Sequence, residues 1–98
     1  MITHTVMFRW KPETTAENVR AMEAALATMP ALVASISTYV FGADLGADGP
    51  ANFDFGIVAT FATIEDWRHY DTHPEHNRIR VEVIRPWIAE RAAVQFES

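Results

Sequence analysis

The sequence predicts an α+β domain of ferredoxin-like topology, βαββαβ, with a four-stranded antiparallel sheet and helices on one face. Three observations predict it. Hydropathy alternates with period two in four segments and recurs at helical spacing in two, in the order strand, helix, strand, strand, broken helix, strand. No repeat, low-complexity tract or long linker interrupts the chain, so residues 1–98 form a single domain. Finally, 49% of the residues are apolar or aromatic and only 21% charged, although a chain this short hides roughly 60–65% of its unfolded surface. One sheet face left bare of helices accounts for that excess.

Each element has a local cause. From Ile2 to Trp10 the chain alternates, with Ile2, His4, Val6, Phe8 and Trp10 on one face and Thr3, Thr5, Met7 and Arg9 on the other. Pro12 ends this strand, and Thr14-x-x-Glu17 has the form of a capping box. Val19, Met22, Leu26 and Met29 follow at helical spacing, and the helix is expected to stop before Pro30. Ser35 to Phe41 is β-branched and aromatic enough for a second strand, and Phe53 to Phe61 alternates for a third. The polar stretch Gly42 to Asn52 joins them. Thr63 with Asp66 caps a short helix bearing Ile64, Trp67 and Tyr70; Thr72-x-x-Glu75 restarts a second, with Pro74 in its tolerant first turn. His76, Ile79, Val83 and Ile84 make its apolar stripe, and beyond Pro86 a fourth strand alternates through Ala92, Val94 and Phe96.

Composition narrows the partners. The chain has no cysteine, which excludes a disulfide scaffold, a thiolate metal site and a cysteine nucleophile. A net charge of −5 argues against nucleic acid and anionic membranes, and no apolar run reaches the ~18 residues of a membrane span. The first residues lack the basic and apolar regions of a secretion signal, so a cytoplasmic location is expected. An uncovered apolar sheet face marks an interface, which predicts a homodimer. The face carrying His4, Val6, Phe8 and Trp10 is the one expected to meet the second copy.

The chemistry-bearing residues cluster between Trp67 and His76, a stretch that holds three of the four histidines. His76 is in line with Ile79 and Val83 and is expected to face inward, close to Tyr70 across the break at Thr72. Such a pair can abstract an acidic carbon-bound proton and hydrogen-bond the resulting enolate; it can equally be a buried histidine satisfied by a backbone carbonyl. His69, His73 and His76 have offsets that bring helical side chains together, but the helix break, the charged neighbours and the lack of a fourth ligand argue against a metal. Asp44 to Gly49 resembles the opening of a calcium loop, which fails because Gly46 and Phe55 stand where oxygen ligands belong. His4, a polar ring on an apolar strand face, needs a partner: Tyr70, His76 or a backbone group. Arg68, Arg78, Arg80 and Arg85 are balanced by nearby carboxylates and read as a solvated helix face.

Taken together, His4-Thr5-Val6-Met7-Phe8, Phe41-Gly42, Phe53-Asp54, Phe61 and above all Tyr70-x-x-His73-Pro74-x-His76 resemble the stress-responsive dimeric α/β-barrel (Dabb) family over nearly the whole chain. The resemblance implies a homodimeric α/β barrel. One branch of that family comprises plant polyketide cyclases such as olivetolic acid cyclase, which close a linear polyketide by aldol condensation without a cofactor. On that branch the catalytic tyrosine and histidine match Tyr70 and His76, the first-strand histidine matches His4, and an aromatic wall position matches Trp87. Phe8 is expected to line the same substrate cavity. The chain departs from the branch at Phe55, where no second polar group stands, and at Val19, Met22 and Leu26, where a cyclase presents aromatic residues.

Three functions are therefore in play. The first is a cofactor-independent cyclase- or lyase-type enzyme acting on a small hydrophobic, polyketide-like carbonyl compound through Tyr70 and His76. The second is a non-catalytic, stress-responsive or small-molecule-binding dimer. The third is a cofactor-free oxygenase or isomerase of the wider barrel group.

Overall fold

The structure, a computed structural model, describes residues 1–98. The expected order of elements is present: β1 (Ile2–Trp10), α1 (Ala16–Ala27), α2 (Met29–Leu32), β2 (Thr38–Ala43), β3 (Phe55–Phe61), α3 (Ile64–Asp71), α4 (Pro74–Arg78) and β4 (Ile88–Glu97). Between α4 and β4 run a π-helical segment, Ile79–Ile84, and a short 3₁₀ turn, Arg85–Trp87. All neighbouring strands are antiparallel and the sheet order is β2-β3-β1-β4, the ferredoxin-like arrangement.

Several boundaries differ from expectation for local reasons. The capping box sits one residue later than Thr14-x-x-Glu17. Asn18 N–H donates to the Thr15 hydroxyl at 3.2 Å, and the Asn18 side-chain oxygen accepts from Thr15 N–H at 2.9 Å. Thr63 does cap α3, its hydroxyl accepting from Asp66 N–H. Thr72, however, closes α3 instead of opening α4, and the His73 imidazole takes over as N-cap by accepting from Glu75 N–H. Pro30 does not end the helical region outright, because it lies in the first turn of α2, where its missing N–H is not needed. Strand β2 begins at Thr38, opposite Thr60, because pairing with β3 starts there. Between β2 and β3, Asp44 accepts from Gly46 N–H and from the Asn52 amide, and Gly46 and Gly49 take positive φ angles of 74° and 94°. That loop is a self-bonded turn, as its polar composition suggests.

The helices lie against the face of β1 that carries Ile2, His4, Val6 and Phe8, all of them buried. This corrects the expected dimer face. Phe61, Met22, Met29, Ile79 and Val33 are almost wholly enclosed beside them, each burial contributing ~1.5–3 kcal/mol. The bare face is the opposite one. Across it the register lines up Val40, Val58, Thr5 and Val94 in one row, with Met7 and Phe96 in the rows on either side. Val40 is 63% exposed and Val94 53%. Alternation alone could not assign the faces, since both are largely uncharged; the helices chose the one with the larger side chains.

Candidate functional site

Between the helices and the covered sheet face lies a cavity of about 530 Å³. Its floor is one row of the sheet, in which Tyr39 of β2, Ala59 of β3, His4 of β1 and Gln95 of β4 stand side by side. Ala59 is the small member of that row and is fully buried. Above the row, Tyr70 comes down from the last turn of α3, its ring 5.9 Å from that of His4, 6.2 Å from Tyr39 and 5.2 Å from Phe61. The break after Asp71 reverses the chain enough that His76, in α4, lies against Tyr70 with ring centroids 4.1 Å apart. The packing that makes this wall is local, and the sheet row supplies its second layer.

Hydrogen bonds fix the proton positions. His76 Nδ1–H donates to the Asp71 carbonyl at 3.3 Å, which leaves Nε2 as an unshared acceptor. The Gln95 amide donates to His4 Nδ1 at 2.7 Å, so that neutral ring carries its proton on Nε2. The Tyr39 and Tyr70 hydroxyls are 3.3 Å apart. Either oxygen can be the donor in that bond, and whichever phenol accepts keeps its own proton for another partner.

Burial sets the charges. Desolvation, then the Arg80 guanidinium, lowers His76 to about 4; desolvation, then Arg91, lowers His4 to about 4. Desolvation also raises both tyrosines, leaving Tyr39 far above the ordinary phenol range. At neutral pH the wall thus offers two uncharged imidazoles and two protonated phenols. Neutral His76 can take a proton on Nε2, and Tyr70 can donate one hydrogen bond into the cavity.

The structure brings His4, Phe8, Tyr70 and His76 to this one cavity. It does not bring Trp87 there. The Trp87 carbonyl accepts from Lys11 N–H and from the Thr14 hydroxyl, which ties the residue to the segment leading into the first helix; its ring packs on the core, and the nearby Arg85 and Ile88 line the cavity instead. His4 finds neither of its expected kinds of partner, because Gln95, directly across from it on β4, satisfies it first. His69 and His73 approach each other to 5.5 Å on the outside, away from the inward-turned His76, and no group of three ligating side chains converges anywhere. Arg80 is half-buried and lines the cavity, and Arg85 and Arg91 line it too while remaining exposed to solvent. Tyr39 and Trp67 also line it, and sequence reasoning missed both: the signal for Tyr39 was its place two residues before Phe41 on one strand face. Finally, no helix is long and apolar enough to cross a membrane.

Comparison with known proteins agrees with this architecture. The family model described as "Stress responsive A/B Barrel Domain" matches residues 2–98. A solved structure from Thermobifida fusca, described as a dimeric ferredoxin-like protein of unknown function, is 37% identical with a TM-score of 0.90, over 99% of this chain and 90% of that one. The hydroxynitrile lyase of Passiflora edulis shares the fold at 17% identity and a TM-score of 0.84, over 97% of this chain and 90% of that one. A dabb family protein from Mesorhizobium loti shares it at 15% identity and a TM-score of 0.82, over 99% of this chain and 95% of that one. No curated protein matches the sequence.

Proposed function

The chain belongs to the stress responsive A/B barrel domain family, and on that premise we propose that it is a homodimeric, cofactor-independent enzyme of the cyclase or lyase type. Its substrate is a small hydrophobic, polyketide-like carbonyl compound, and its catalytic pair is His76 and Tyr70. The observation that carries the reading is the stacking of these two side chains on one cavity wall, with a free imidazole nitrogen on one and an available phenolic proton on the other.

The reaction follows from those proton positions. His76 Nε2 removes a proton from the carbon beside a carbonyl, and the Tyr70 hydroxyl stabilises the enolate oxygen as charge builds there. The imidazolium that forms is stabilised by the Asp71 carbonyl already bonded to Nδ1–H and by the Asp71 carboxylate nearby. The enolate carbon then attacks a second carbonyl of the same molecule, and the proton on His76 returns to the new alkoxide. A base whose basicity burial has reduced needs an acidic carbon, and a methylene between two carbonyls meets that need. That a hydroxynitrile lyase shares the fold supports lyase-type chemistry on this scaffold. His4, Phe8 and the apolar lining of the cavity position the substrate.

Self-association has separate support. The Thermobifida fusca relative is described as dimeric, and the bare row of Val40, Val58, Thr5 and Val94 offers a flat apolar surface to a second copy.

The test is turnover of linear β-polycarbonyl compounds by the wild type and by His76→Ala and Tyr70→Phe. Loss of turnover in each variant, with the dimer intact, is expected; undiminished turnover in both sinks the reading.

A further inference from the structure

Three of the eight basic residues of this acidic chain line one cavity, Arg80, Arg85 and Arg91, against a single carboxylate, that of Asp71. Three of the other four arginines pair with carboxylates instead. Arg9 pairs with Glu90, Arg68 with Glu65, and Arg78 with Glu75 and Glu82. Neither Arg85 nor Arg91 has a carboxylate within ion-pairing distance, and Arg80 reaches Asp71 only at 3.5 Å.

A backbone irregularity sets two of these arginines beside the same cavity. In an α-helix, residues five apart point about 140° away from each other. Here the Arg85 N–H donates to the Arg80 carbonyl, a five-residue link that closes the π-helical segment and sets the two residues in succession along one side. Arg91 comes from β4, directly across from Phe8 on the covered sheet face. A second, independent observation concerns donors. The indole Nε1–H of Trp67 and the Nε–H of Arg80 are buried without any protein acceptor, and both residues line this cavity. Both atoms can only donate, so what they lack is an acceptor.

We infer that the cavity binds its hydrophobic ligand through a carboxylate held by Arg80, Arg85 and Arg91. The inference rests on the proposed use of this cavity as a substrate site and narrows its substrate class to hydrophobic carbonyl acids. Planar guanidiniums bind the two oxygens of a carboxylate side by side. The anion offsets the mutual repulsion of three cations in one cavity, and its lone pairs supply the acceptors that the Trp67 indole N–H and the Arg80 Nε–H lack, the terminal nitrogens of Arg80 being already bonded to Asp71 and Asn77. Lysine at any of the three positions would keep the charge and lose the paired geometry.

The test is calorimetric titration of the full-length protein with 3-phenylpropanoate and with its neutral amide, in the wild type and in an Arg85→Gln/Arg91→Gln double variant of unchanged oligomeric state. The acid is expected to bind at least about tenfold more tightly than the amide. That advantage should shrink at salt on the order of 0.5 M and disappear in the double variant. Equal binding of acid and amide, no binding of the acid, or an undiminished preference in the double variant overturns the inference. Inorganic phosphate binding more tightly than the acid overturns the carboxylate assignment. Because binding is read without turnover, the two readings fail separately. An acid preference in a protein that turns nothing over removes the catalytic proposal alone, and turnover of neutral substrates without acid preference removes this one alone.

Discussion

The rings of Tyr70 and His76 stack with centroids 4.1 Å apart and planes inclined by 30°, although six residues and a helix break separate them. The break produces the contact. Thr72 caps the end of α3 and His73 the start of α4, so the chain turns between them and His76 swings back over the residue that closed the previous helix. Pro74 belongs at the start of the second helix, where it fixes φ without costing a hydrogen bond. A single continuous helix would set residues six apart on different sides. The pair is therefore a product of the Tyr-x-x-His-Pro-x-His spacing itself.

Mild acid should destabilise the protein through two buried histidines. His4 and His76 ionise at about 4 in the folded chain, against an ordinary value of 6.5. Between those values the unfolded chain binds protons that the folded chain refuses, so stability is fully present above pH ~6.5 and falls as pH drops toward ~4. Each histidine contributes about 1–3 kcal/mol across that window. Urea midpoints at pH ~7.5 and ~5 should differ by more in the wild type than in His76→Gln; an equal difference would show that His76 is not the group responsible.

Much of this was legible in the sequence, and the reasons for the rest are physical. All nine residues of β1 follow from alternation, because nothing in Ile2 to Trp10 competes with a strand and Pro12 stops it. The Thr15 cap was missed by one residue because Thr14-Thr15 offers two hydroxyls, and the short Asn18 amide, not Glu17, reaches back. The direction of the sheet was not legible, since either face of β1 could have been covered. Trp87 was misplaced because its backbone contacts, which determine where its ring goes, leave no trace in residue type. Arg68 and Arg78 do pair with carboxylates on the surface, as the local charge balance suggests, but charge balance carries no sign of the π-helical turn that sets Arg80 and Arg85 beside the cavity.

Tyr39 should act as a positioning residue for Tyr70. Its hydroxyl lies 3.3 Å from that of Tyr70, and by donating to that oxygen it would leave the Tyr70 proton for the substrate. In Tyr39→Phe the phenol of Tyr70 loses that partner but remains in place, so kcat should fall about fivefold to thirtyfold, the equivalent of ~1–2 kcal/mol, while KM changes little. A variant that raises KM with kcat intact would instead make Tyr39 part of the binding wall.

Gln95 should control the charge of His4. A carboxylate at that position places an anion against the Nδ1 atom that the amide now serves at 2.7 Å. Gln95→Glu should therefore raise the His4 ionisation from about 4 toward or beyond the ordinary 6.5. NMR titration of the imidazole protons reads this directly, and His76 serves as the internal control. An unmoved His4 titration would mean that the ring does not face β4 in solution.

The bare sheet face should hold the two copies together. Val58 lies near its middle, paired with Val40 on one side and Thr5 on the other, and Val94 completes the row. Val58→Asp would bury a carboxylate between two apolar sheets with no cation opposite it in the row, a loss of several kcal/mol of association. The same substitution in a lone subunit faces water and changes little inside the cavity, because residue 58 points away from His4 and Tyr70. Light scattering should report a dimer for the wild type and a monomer for the variant, with a lower Tm because the apolar row is then exposed. Should Val58→Asp remain dimeric, the copies meet through some other surface, and the excess of apolar residues in this short chain needs a different explanation.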